Sequence, residues 1–122
     1  LLAEDDPINQ TLAVAILEQR GYELCVVENG RLAVEKIKES AGGRGFDLIL
    51  MDIQMPEMDG FEATRLLREF EKKSDGKQLP IIAMTAHAFQ QDRKQCLEEG
   101  MNDYISKPIN PNKLFEMIEH YI

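Results

Sequence analysis

The stretch FDLILMDIQMPEMDG, residues 46–60, places a nearly continuous apolar run directly before Asp52. Such a run, followed by Pro56 and then by an Asp-Gly pair, is typical of a parallel strand that is covered on both faces and ends in a loop. A carboxylate at the end of a buried strand costs free energy unless something nearby needs its negative charge. The stretch therefore predicts a strand over residues 46–51 that presents Asp52 to a functional site.

The same kind of apolar run recurs on both sides of this stretch and alternates with helical periodicity along the whole chain. Strands are predicted over residues 1–3, 22–27, 46–51, 80–84 and 101–106, and helices over residues 7–20, 31–41, 61–73, 88–99 and 110–121. Strands that alternate with helices in this way form a parallel sheet with right-handed crossovers. The sequence therefore predicts an α/β fold: a doubly wound, five-stranded parallel sheet with five helices.

The first predicted helix carries more apolar residues than one buried stripe needs. Seven of the thirteen residues from 8 to 20 are apolar. The spacing i, i+4, i+7, i+8 predicts a buried stripe that consists of Ile8, Leu12, Ala15 and Ile16. Three further apolar residues are left over: Ala13, Val14 and Leu17. They indicate either a surface that docks a partner protein or a helix that is apolar on nearly all sides, and the sequence leaves both open.

Length, charge and cysteine content narrow the class of protein. A chain of 122 residues suffices for one core, so residues 1–122 are read as a single domain. The net charge of −8 argues against contact with nucleic acid or an anionic membrane through this domain. Cys25 and Cys96 lack metal-ligand spacing, which favours free thiols in a reducing compartment such as the cytoplasm. Because the chain starts at Leu1 inside a strand, we expect it to be part of a longer protein.

Polar side chains follow four of the five predicted strands. The first strand is followed by Glu4, Asp5 and Asp6, the third by Asp52, the fourth by Thr85 and the fifth by Lys107. In an open parallel sheet, ligands bind in the crevice outside the carboxyl ends of the strands. Acidic, hydroxyl and ammonium groups are therefore expected to meet at one edge of the sheet.

This combination of groups suits phosphoryl transfer. Carboxylates that share a cleft raise one another's pKa unless a cation intervenes, and oxygen ligands without His or Cys favour Mg²⁺. The metal and Lys107 would neutralise phosphoryl oxygens while Thr85 donates a hydrogen bond. Asp52 is then the natural nucleophile and would form an aspartyl phosphate.

Each of these residues, taken alone, also has a plainer interpretation. Asp5 and Asp6 fit as caps of the first helix, Thr85 fits as a cap of the fourth, and Lys107 fits as a surface charge. The joint placement of the whole set at strand ends favours a site.

Four stretches resemble one known family, the response-regulator receiver domain of two-component signalling. They are LLAEDDPINQ (1–10), LILMDIQMPEMDG (48–60), PIIAMTAHA (80–88) and GMNDYISKPI (100–109), and the resemblance covers essentially the whole chain. The segments PINQ, MTAHA and GMNDYISKPI are most similar to receivers of hybrid sensor histidine kinases and phosphorelays. The resemblance implies a flavodoxin-like sheet with strand order 2-1-3-4-5. Loops at residues 42–45 and 74–77 look longer than is usual in the family and are expected to be surface insertions.

The resemblance also implies a role for each matched position. Asp52 would be the phosphoacceptor, and Mg²⁺ would be held by Glu4, Asp5, Asp52 and the backbone carbonyl of Gln54. The phosphoryl-binding and switch residues would be Thr85, Lys107 and Tyr104. The peptide bond between Lys107 and Pro108 would be cis. Gln54 and His87 would flank the path of attacking water, and we expect them to tune the lifetime of the phosphoryl group.

The function implied is signalling rather than metabolic catalysis. The domain would accept a phosphoryl group from a phosphohistidine on a histidine kinase or a histidine phosphotransfer domain, and would promote its own phosphorylation and dephosphorylation. Phosphorylation would change the face formed by the fourth helix, the fifth strand and the fifth helix. We expect a cytoplasmic domain, free or tethered to a membrane-bound hybrid kinase; whether it forms a homodimer is left open.

Three other functions compete with this one. A phosphatase of the haloacid-dehalogenase type needs a second Asp two residues after the nucleophile, where this chain has Gln54. A flavodoxin-like cofactor binder needs a phosphate-cradling loop after the first strand, where this chain has three carboxylates. A receiver-like interaction module that is not phosphorylated is the remaining alternative, and the complete set of Asp52, Thr85 and Lys107 weighs against it.

Overall fold

The structure, a computed structural model, describes residues 1–40, 45–73, 78–86 and 90–122. Five strands and five helices alternate along these residues. The strands are β1 (Leu2–Ala3), β2 (Val26–Val27), β3 (Ile49–Asp52), β4 (Ile81–Thr85) and β5 (Asp103–Ser106). The helices are α1 (Pro7–Glu18), α2 (Gly30–Glu39), α3 (Gly60–Lys73), α4 (Gln90–Glu98) and α5 (Pro111–Tyr121). The predicted alternation is confirmed; the loops at 42–45 and 74–77 fall outside the described residues, apart from Gly45.

The strands form one parallel sheet in the order β2-β1-β3-β4-β5. Asp52 at the end of β3 pairs with Met84, and Thr85 at the end of β4 pairs with Ser106. The carboxyl ends of the strands therefore meet at one edge, as the sequence predicted. Among the described helices, none is both long and apolar enough to cross a membrane.

Short polar side chains start four of the helices, including α3, where Asp59 Oδ1 accepts the backbone N–H of Glu62 at 2.9 Å. Asp6 precedes α1 and accepts a hydrogen bond from the backbone of Ile8 at 2.9 Å, and Asn29 caps α2 in the same way through Leu32 at 2.9 Å. Asn110 does so for α5. Such caps satisfy backbone N–H groups that have no partner within the helix. Each helix start is therefore fixed close to the strand end that precedes it.

Two apolar clusters cover the two faces of the sheet. The first contains Ala3, Ile49, Met51, Ile81 and Ala83 and packs against α2, α3 and α4. The second is formed by Leu2, Leu50, Ile82, Met84 and Ile105 and packs against α1 and α5. Successive strand residues alternate between the clusters because side chains in a strand point to opposite faces. This arrangement explains why β1, β3 and β4 are apolar at every position before their carboxyl ends.

The buried face of α1 differs from the predicted one. Its buried residues are Ala13, Ile16 and Leu17. Ile8 is 78% exposed, Leu12 is 46% exposed and Ala15 is also exposed. The predicted stripe was therefore wrong except at Ile16, because a helix that is apolar at more than half of its positions offers two stripes with helical spacing.

The second strand is shorter than predicted. Only Val26–Val27 pair with β1, whereas the apolar pattern predicted a strand over residues 22–27. Leu2 pairs with Val26 and Ala3 pairs with Val27, so the regular pairing of β2 matches the two residues of β1.

Candidate functional site

The two acidic segments predicted to meet do so at the carboxyl edge of the sheet. Glu4 and Asp5 follow β1, Asp52 ends β3, and one carboxylate oxygen of each lies within 4.8 Å of the other two. They line a cleft of about 510 Å³, the acidic cleft, to which Thr85 and Lys107 also contribute. Three carboxylates without His or Cys are the ligand set that suits a hard cation such as Mg²⁺, so these residues fit a magnesium site.

Lys107 supplies the positive charge inside the acidic cleft. Its Nζ lies 2.9 Å from Glu4 Oε2 and 3.1 Å from Asp52 Oδ2. Burial acts to lower the pKa of the Lys107 ammonium, but hydrogen bonds to the two carboxylates outweigh it and raise the pKa above its ordinary value. Lys107 is therefore charged at neutral pH and partly neutralises the acidic pair.

The Asp52 carboxyl is perturbed by its surroundings. Burial raises its pKa to about 6, opposed by the hydrogen bond from Lys107 and assisted by the negative charge of Glu4. The carboxyl is almost fully buried at the end of its strand. At neutral pH Asp52 is thus mainly ionised but less well solvated than an ordinary carboxylate, which favours both metal binding and nucleophilic attack.

The loop after β1 is braced so that Glu4 points into the acidic cleft. Glu4 Oε1 accepts a hydrogen bond from the backbone N–H of Asp6 at 3.2 Å, and the Gln10 side chain donates to the Glu4 carbonyl at 2.5 Å. Asp6 is occupied as the cap of α1 and is not one of the three clustered carboxylates. The interpretation as a cap of the first helix was therefore right for Asp6 and wrong for Asp5, which is one of the three clustered carboxylates.

A glycine fixes the backbone at the end of β3. A Cβ atom on Gly60 would lie 2.3 Å from the carbonyl oxygen of Asp52, and the Gly60 N–H donates to the Ile53 carbonyl at 2.9 Å. The start of α3 therefore lies directly against the backbone of Asp52, and only glycine leaves room for this approach.

Thr85 and Lys107 are joined through the backbone as well as through the cleft. The Lys107 N–H donates to the Thr85 carbonyl at 2.8 Å, and the Lys107–Pro108 peptide bond is cis, as the resemblance implied. Thr85 is buried and lines the acidic cleft. The ends of β4 and β5 are thus held in register beside Asp52.

Tyr104 lies outside the acidic cleft but on the same face of the sheet as Thr85. Tyr104 pairs with Ala83, and Ala83 is two residues before Thr85 in β4, so the three side chains share one face. The half-buried ring packs against the first apolar cluster, and the Arg93 guanidinium lies 5.6 Å from its centroid.

Of the two residues expected to tune the phosphoryl lifetime, only Gln54 is among the described residues. Gln54 lines the acidic cleft, is exposed, and donates its backbone N–H to Asp52 Oδ1 at 3.3 Å. His87 lies outside the described residues. Asn9, Phe61 and Gln95 also line the cleft and were missed by the sequence reasoning. Asn9 and Phe61 each lie in the first turn of a helix that begins at the same edge of the sheet. Their position at a helix start is the signal that could have predicted a place in the cleft.

Comparison with known proteins places this site in a family. The family model of the response regulator receiver domain matches residues 1–119. This chain belongs to that family. The receiver domain is 44% identical over its full length to part of the hybrid signal transduction histidine kinase I of Dictyostelium discoideum. It is 41% identical over 97% of its length to part of the sensor protein GacS of Pseudomonas syringae pv. syringae.

The receiver domain spans only 7% of the Dictyostelium protein and 13% of GacS. The expectation that the chain is most similar to receivers of hybrid sensor histidine kinases is confirmed by these relatives.

Two solved structures are similar over nearly all of the chain. One is the receiver domain of a sensor histidine kinase from Pseudomonas aeruginosa PAO1 with a magnesium ion coordinated in its active site cleft. It is 41% identical, with a TM-score of 0.85, over 98% of this chain and 93% of that one. The other comes from a co-crystal of a Saccharomyces cerevisiae histidine phosphotransfer signaling protein with the receiver domain of its downstream response regulator. It is 33% identical, with a TM-score of 0.91, over 98% of this chain and 85% of that one. The flavodoxin-like fold and strand order expected from the sequence are confirmed.

Proposed function

We propose that this receiver domain accepts a phosphoryl group from a partner phosphohistidine onto Asp52, in a reaction that requires Mg²⁺. The observation that carries the proposal is the position of the Asp52 carboxylate. It ends a buried strand within 4.8 Å of two other carboxylates and 3.1 Å from the Lys107 ammonium. A lone buried carboxylate is costly; Lys107 offsets part of that cost here, and a cation bound by the three carboxylates would offset more.

The transfer conserves one phosphoryl group. An Asp52 carboxylate oxygen attacks phosphorus, the phosphorus–nitrogen bond to the donor imidazole breaks, and its electron pair stays on the imidazole. Lys107 is placed to neutralise the oxygens of the transferred group, and the Thr85 hydroxyl is placed to donate a hydrogen bond to one of them. Hydrolysis then returns inorganic phosphate and the free Asp52 carboxylate.

The magnesium site is proposed to use Glu4, Asp5 and Asp52 together with the backbone carbonyl of Gln54. When bound, Mg²⁺ would offset the charge that develops on the phosphoryl oxygens. The magnesium ion in the similar Pseudomonas aeruginosa receiver supports this assignment. Gln54 and His87 are proposed to set the phosphoryl lifetime by flanking the path of water.

Thr85 and Tyr104 are proposed to transmit the change at Asp52. A phosphoryl group on Asp52 would accept a hydrogen bond from the Thr85 hydroxyl and so draw that side chain further into the acidic cleft. Because Tyr104 lies next to Ala83 on the same face of the sheet, its ring can occupy the space that Thr85 leaves. The surface formed by α4, β5 and α5 would change as a result.

The exposed face of α1 is proposed to dock the phosphoryl donor. Ile8 and Leu12 are large, apolar and exposed, and they lie on the helix that begins directly after Glu4 and Asp5. The complex between a phosphotransfer protein and a similar yeast receiver supports a partner of this class. The sequence left a docking role open for Ala13, Val14 and Leu17, but Ala13 and Leu17 belong to the core.

The setting of the domain is proposed from its relatives. Residues 1–122 would form one receiver module of a longer hybrid kinase, in the cytoplasm and without its own contact to nucleic acid or membrane. Its catalytic role would be limited to its own phosphorylation and dephosphorylation. Two cysteines, Cys25 and Cys96, that are free in the structure fit a reducing compartment.

The deciding experiment is intact-mass spectrometry after incubation with acetyl phosphate and Mg²⁺. We expect one added phosphoryl group in the wild-type protein, and none after addition of a chelator or in the Asp52→Asn variant. Absence of the adduct in a folded, Mg²⁺-binding protein would favour the alternative, an interaction module that is not phosphorylated.

A further inference from the structure

A buried polar cluster lies at the opposite edge of the sheet, where β4 and β5 begin. Its centre is Arg68 on α3, whose side chain is only 12% exposed. Arg68 Nε donates to the Gly100 carbonyl at 2.9 Å, just after the end of α4. Nη1 donates to Glu71 and to the Leu79 carbonyl, both at 2.8 Å, and Nη2 donates to Asn102 Oδ1 at 2.8 Å. One side chain thus joins α3 to the end of α4 and to the segments that precede β4 and β5.

The partners of Arg68 are themselves held in place. Glu71 is buried, and its second carboxylate oxygen accepts the Leu79 N–H at 2.8 Å. Asn102 Oδ1 also accepts the Ile81 N–H at 2.9 Å, and the Asn102 carbonyl accepts the Tyr121 hydroxyl at 3.0 Å. Among the described residues, no buried side-chain nitrogen or oxygen lacks a hydrogen-bond partner. A fully satisfied network of this kind is rigid and costly to open.

The end of α4 is fitted closely to α3 at this point. Gly100 has a φ of 101°, and a Cβ there would lie 3.2 Å from Arg68 Cγ. The Met101 N–H donates to the carbonyl of Cys96, which is buried in the first apolar cluster. A guanidinium at the carboxyl end of a helix also interacts favourably with the helix dipole. Geometry, hydrogen bonding and charge therefore all fasten this end of α4.

α4 also lies beside the acidic cleft, which is lined by its residue Gln95. β4 ends at Thr85 and α4 begins at Gln90, so the start of this helix follows shortly after the switch hydroxyl. Arg93, in the first turn of α4, is exposed, and its guanidinium carbon lies 5.6 Å from the centroid of the Tyr104 ring. Exposed contacts of this type are weak compared with a buried ion pair. Among the α4 side chains that the structure describes, which begin at Arg93, the exposed contact near the start of the helix is therefore weaker than the buried hydrogen bond at its end.

We propose that Arg68 anchors the switch, so that α4 turns about the contact between Arg68 and Gly100 when Asp52 is phosphorylated. Displacement then grows from Gly100 toward Gln90 instead of being uniform along the helix. Opening the anchored end would leave the buried Nε–H of Arg68 without its hydrogen bond to the Gly100 carbonyl, whereas near the start of the helix the described contact, that of Arg93, is exposed. Arg68 is a positioning residue, and this inference rests on the proposed function for its phosphorylation step.

The anchor itself is tested in the unphosphorylated domain by amide hydrogen exchange. The probes are the N–H groups of residues 99–101, which donate to carbonyls of α4. We expect Arg68→Met to accelerate their exchange by about tenfold or more, because hydrogen bonds to a charged group are lost. Arg65→Met is the matched control, since Arg65 also joins α3 to α4, through Glu99, but is 60% exposed. It is expected to change these rates by less than about twofold. Equal effects of the two substitutions would overturn the anchor.

The pivot is tested in the same protein after phosphorylation by acetyl phosphate. In wild type, exchange is expected to change at residues 93–95 and to stay constant at residues 99–101, and in Arg68→Met the change is expected to reach residues 99–101. A uniform change along α4 in wild type would overturn the pivot, and this comparison needs no variant.

If Arg68→Met unfolds, Arg68→Lys, which keeps the charge with fewer donors, takes its place. The intact mass of each sample separates the proposed phosphorylation of Asp52 from the proposed anchor at Arg68. A missing phosphoryl adduct would count against phosphorylation, while the exchange rates of the unphosphorylated protein would still test the anchor.

Discussion

The Lys107 ammonium lies 3.1 Å from the Asp52 carboxylate, although the two residues are 55 positions apart in the sequence. The contact crosses from the loop after β5 to the end of β3, past the intervening strand β4. Glu4 shares the same ammonium at 2.9 Å. The buried negative charge at the end of β3 is therefore balanced by a residue that only the completed sheet brings near it.

The buried Asp52 carboxyl is expected to make stability depend on pH. Its pKa of about 6 in the folded protein exceeds the ordinary value of 3.8, so the folded state binds this proton more tightly than the unfolded state does. The stabilisation from this site is complete below about pH 4 and is lost as the pH rises through about 6. We therefore expect Asp52→Asn to gain stability relative to wild type, by about 1–2 kcal/mol, between about pH 4 and 7.

Urea unfolding of both proteins in metal-free buffer measures this difference. A gap that is constant over the whole pH range would show that the Asp52 proton is not coupled to folding. Saturating Mg²⁺ should narrow the gap at neutral pH, because the cation stabilises the ionised carboxylate only in wild type.

Magnesium affinity is expected to depend on two of the three acidic residues after β1. Glu4→Gln and Asp5→Asn each remove a charged ligand from the cluster and should weaken binding by about tenfold or more. Asp6→Asn is the matched control, because Asp6 caps α1 and Asn caps a helix equally well. Isothermal titration calorimetry gives the three dissociation constants, and a weakening as large in Asp6→Asn as in the others would contradict the assignment.

Thr85→Ala is expected to separate phosphorylation from switching. The variant keeps Asp52 and Lys107 and should still gain one phosphoryl group from acetyl phosphate. It lacks the hydroxyl that the phosphoryl group would draw inward, so the surroundings of Tyr104 should not change. NMR spectra of labelled tyrosines before and after phosphorylation provide the measurement, with Thr85→Ser as the control that retains the hydroxyl. A full spectral response in Thr85→Ala would rule out this route.

Substitution on the exposed face of α1 is expected to affect the donor and not the fold. Ile8→Glu and Leu12→Glu should leave the free energy of unfolding within about 0.5 kcal/mol of wild type. They should slow transfer from a phosphohistidine partner by about tenfold or more, because buried apolar anchors dominate interface energies. Leu97→Glu, on the exposed surface of α4, is the matched control.

Transfer kinetics from the donor and from acetyl phosphate distinguish docking from chemistry. Phosphorylation by acetyl phosphate should be unchanged in all three variants, since this small donor needs no docking surface. Leu17→Glu should instead unfold the domain, because Leu17 is buried in the second apolar cluster. Equal transfer rates in Ile8→Glu and wild type would place the donor elsewhere.

Gly60→Ala is expected to destabilise the domain strongly. The new Cβ would lie 2.3 Å from the Asp52 carbonyl oxygen. That oxygen belongs to the backbone, and a Cβ atom has no rotatable bond that could move it away. We expect a loss of about 2–4 kcal/mol, together with weaker Mg²⁺ binding. Gly45→Ala is the control, because its Cβ would have 3.7 Å to its nearest neighbour. Thermal unfolding of both variants checks this, and equal melting temperatures would contradict it.

The strand-end positions were predictable because an apolar run reports directly where a strand stops. Once strands and helices alternate, the carboxyl ends of the strands must share an edge, which brought Asp52, Thr85 and Lys107 together before any coordinates were known. The roles of Gln54 and Tyr104 came only from resemblance to a family. Their side chains occupy positions that no periodicity marks.

The face of α1 and the cluster at Arg68 were not predictable in the same way. A helix apolar on more than half of its positions leaves its buried side to be decided by the sheet, which selected Leu17 over Leu12. The segment LLREFEKK reads as a helix with a solvated charged face. Arg68 is buried because hydrogen-bond acceptors 11 to 34 positions away in the sequence surround it. The spacing of residues along a helix does not predict such distant partners.

The division of α1 into an inner and an outer face bears on how such a domain diversifies after gene duplication. Ala13 and Leu17 are buried in the core, while Ile8 is 78% and Leu12 is 46% exposed. If the outer positions dock the donor, as proposed, drift there would alter which donor is accepted and would leave the acidic cleft intact. Two duplicated copies would then acquire separate signalling routes through a few surface changes, whereas a change at Asp52 or Gly60 would disrupt the cleft itself.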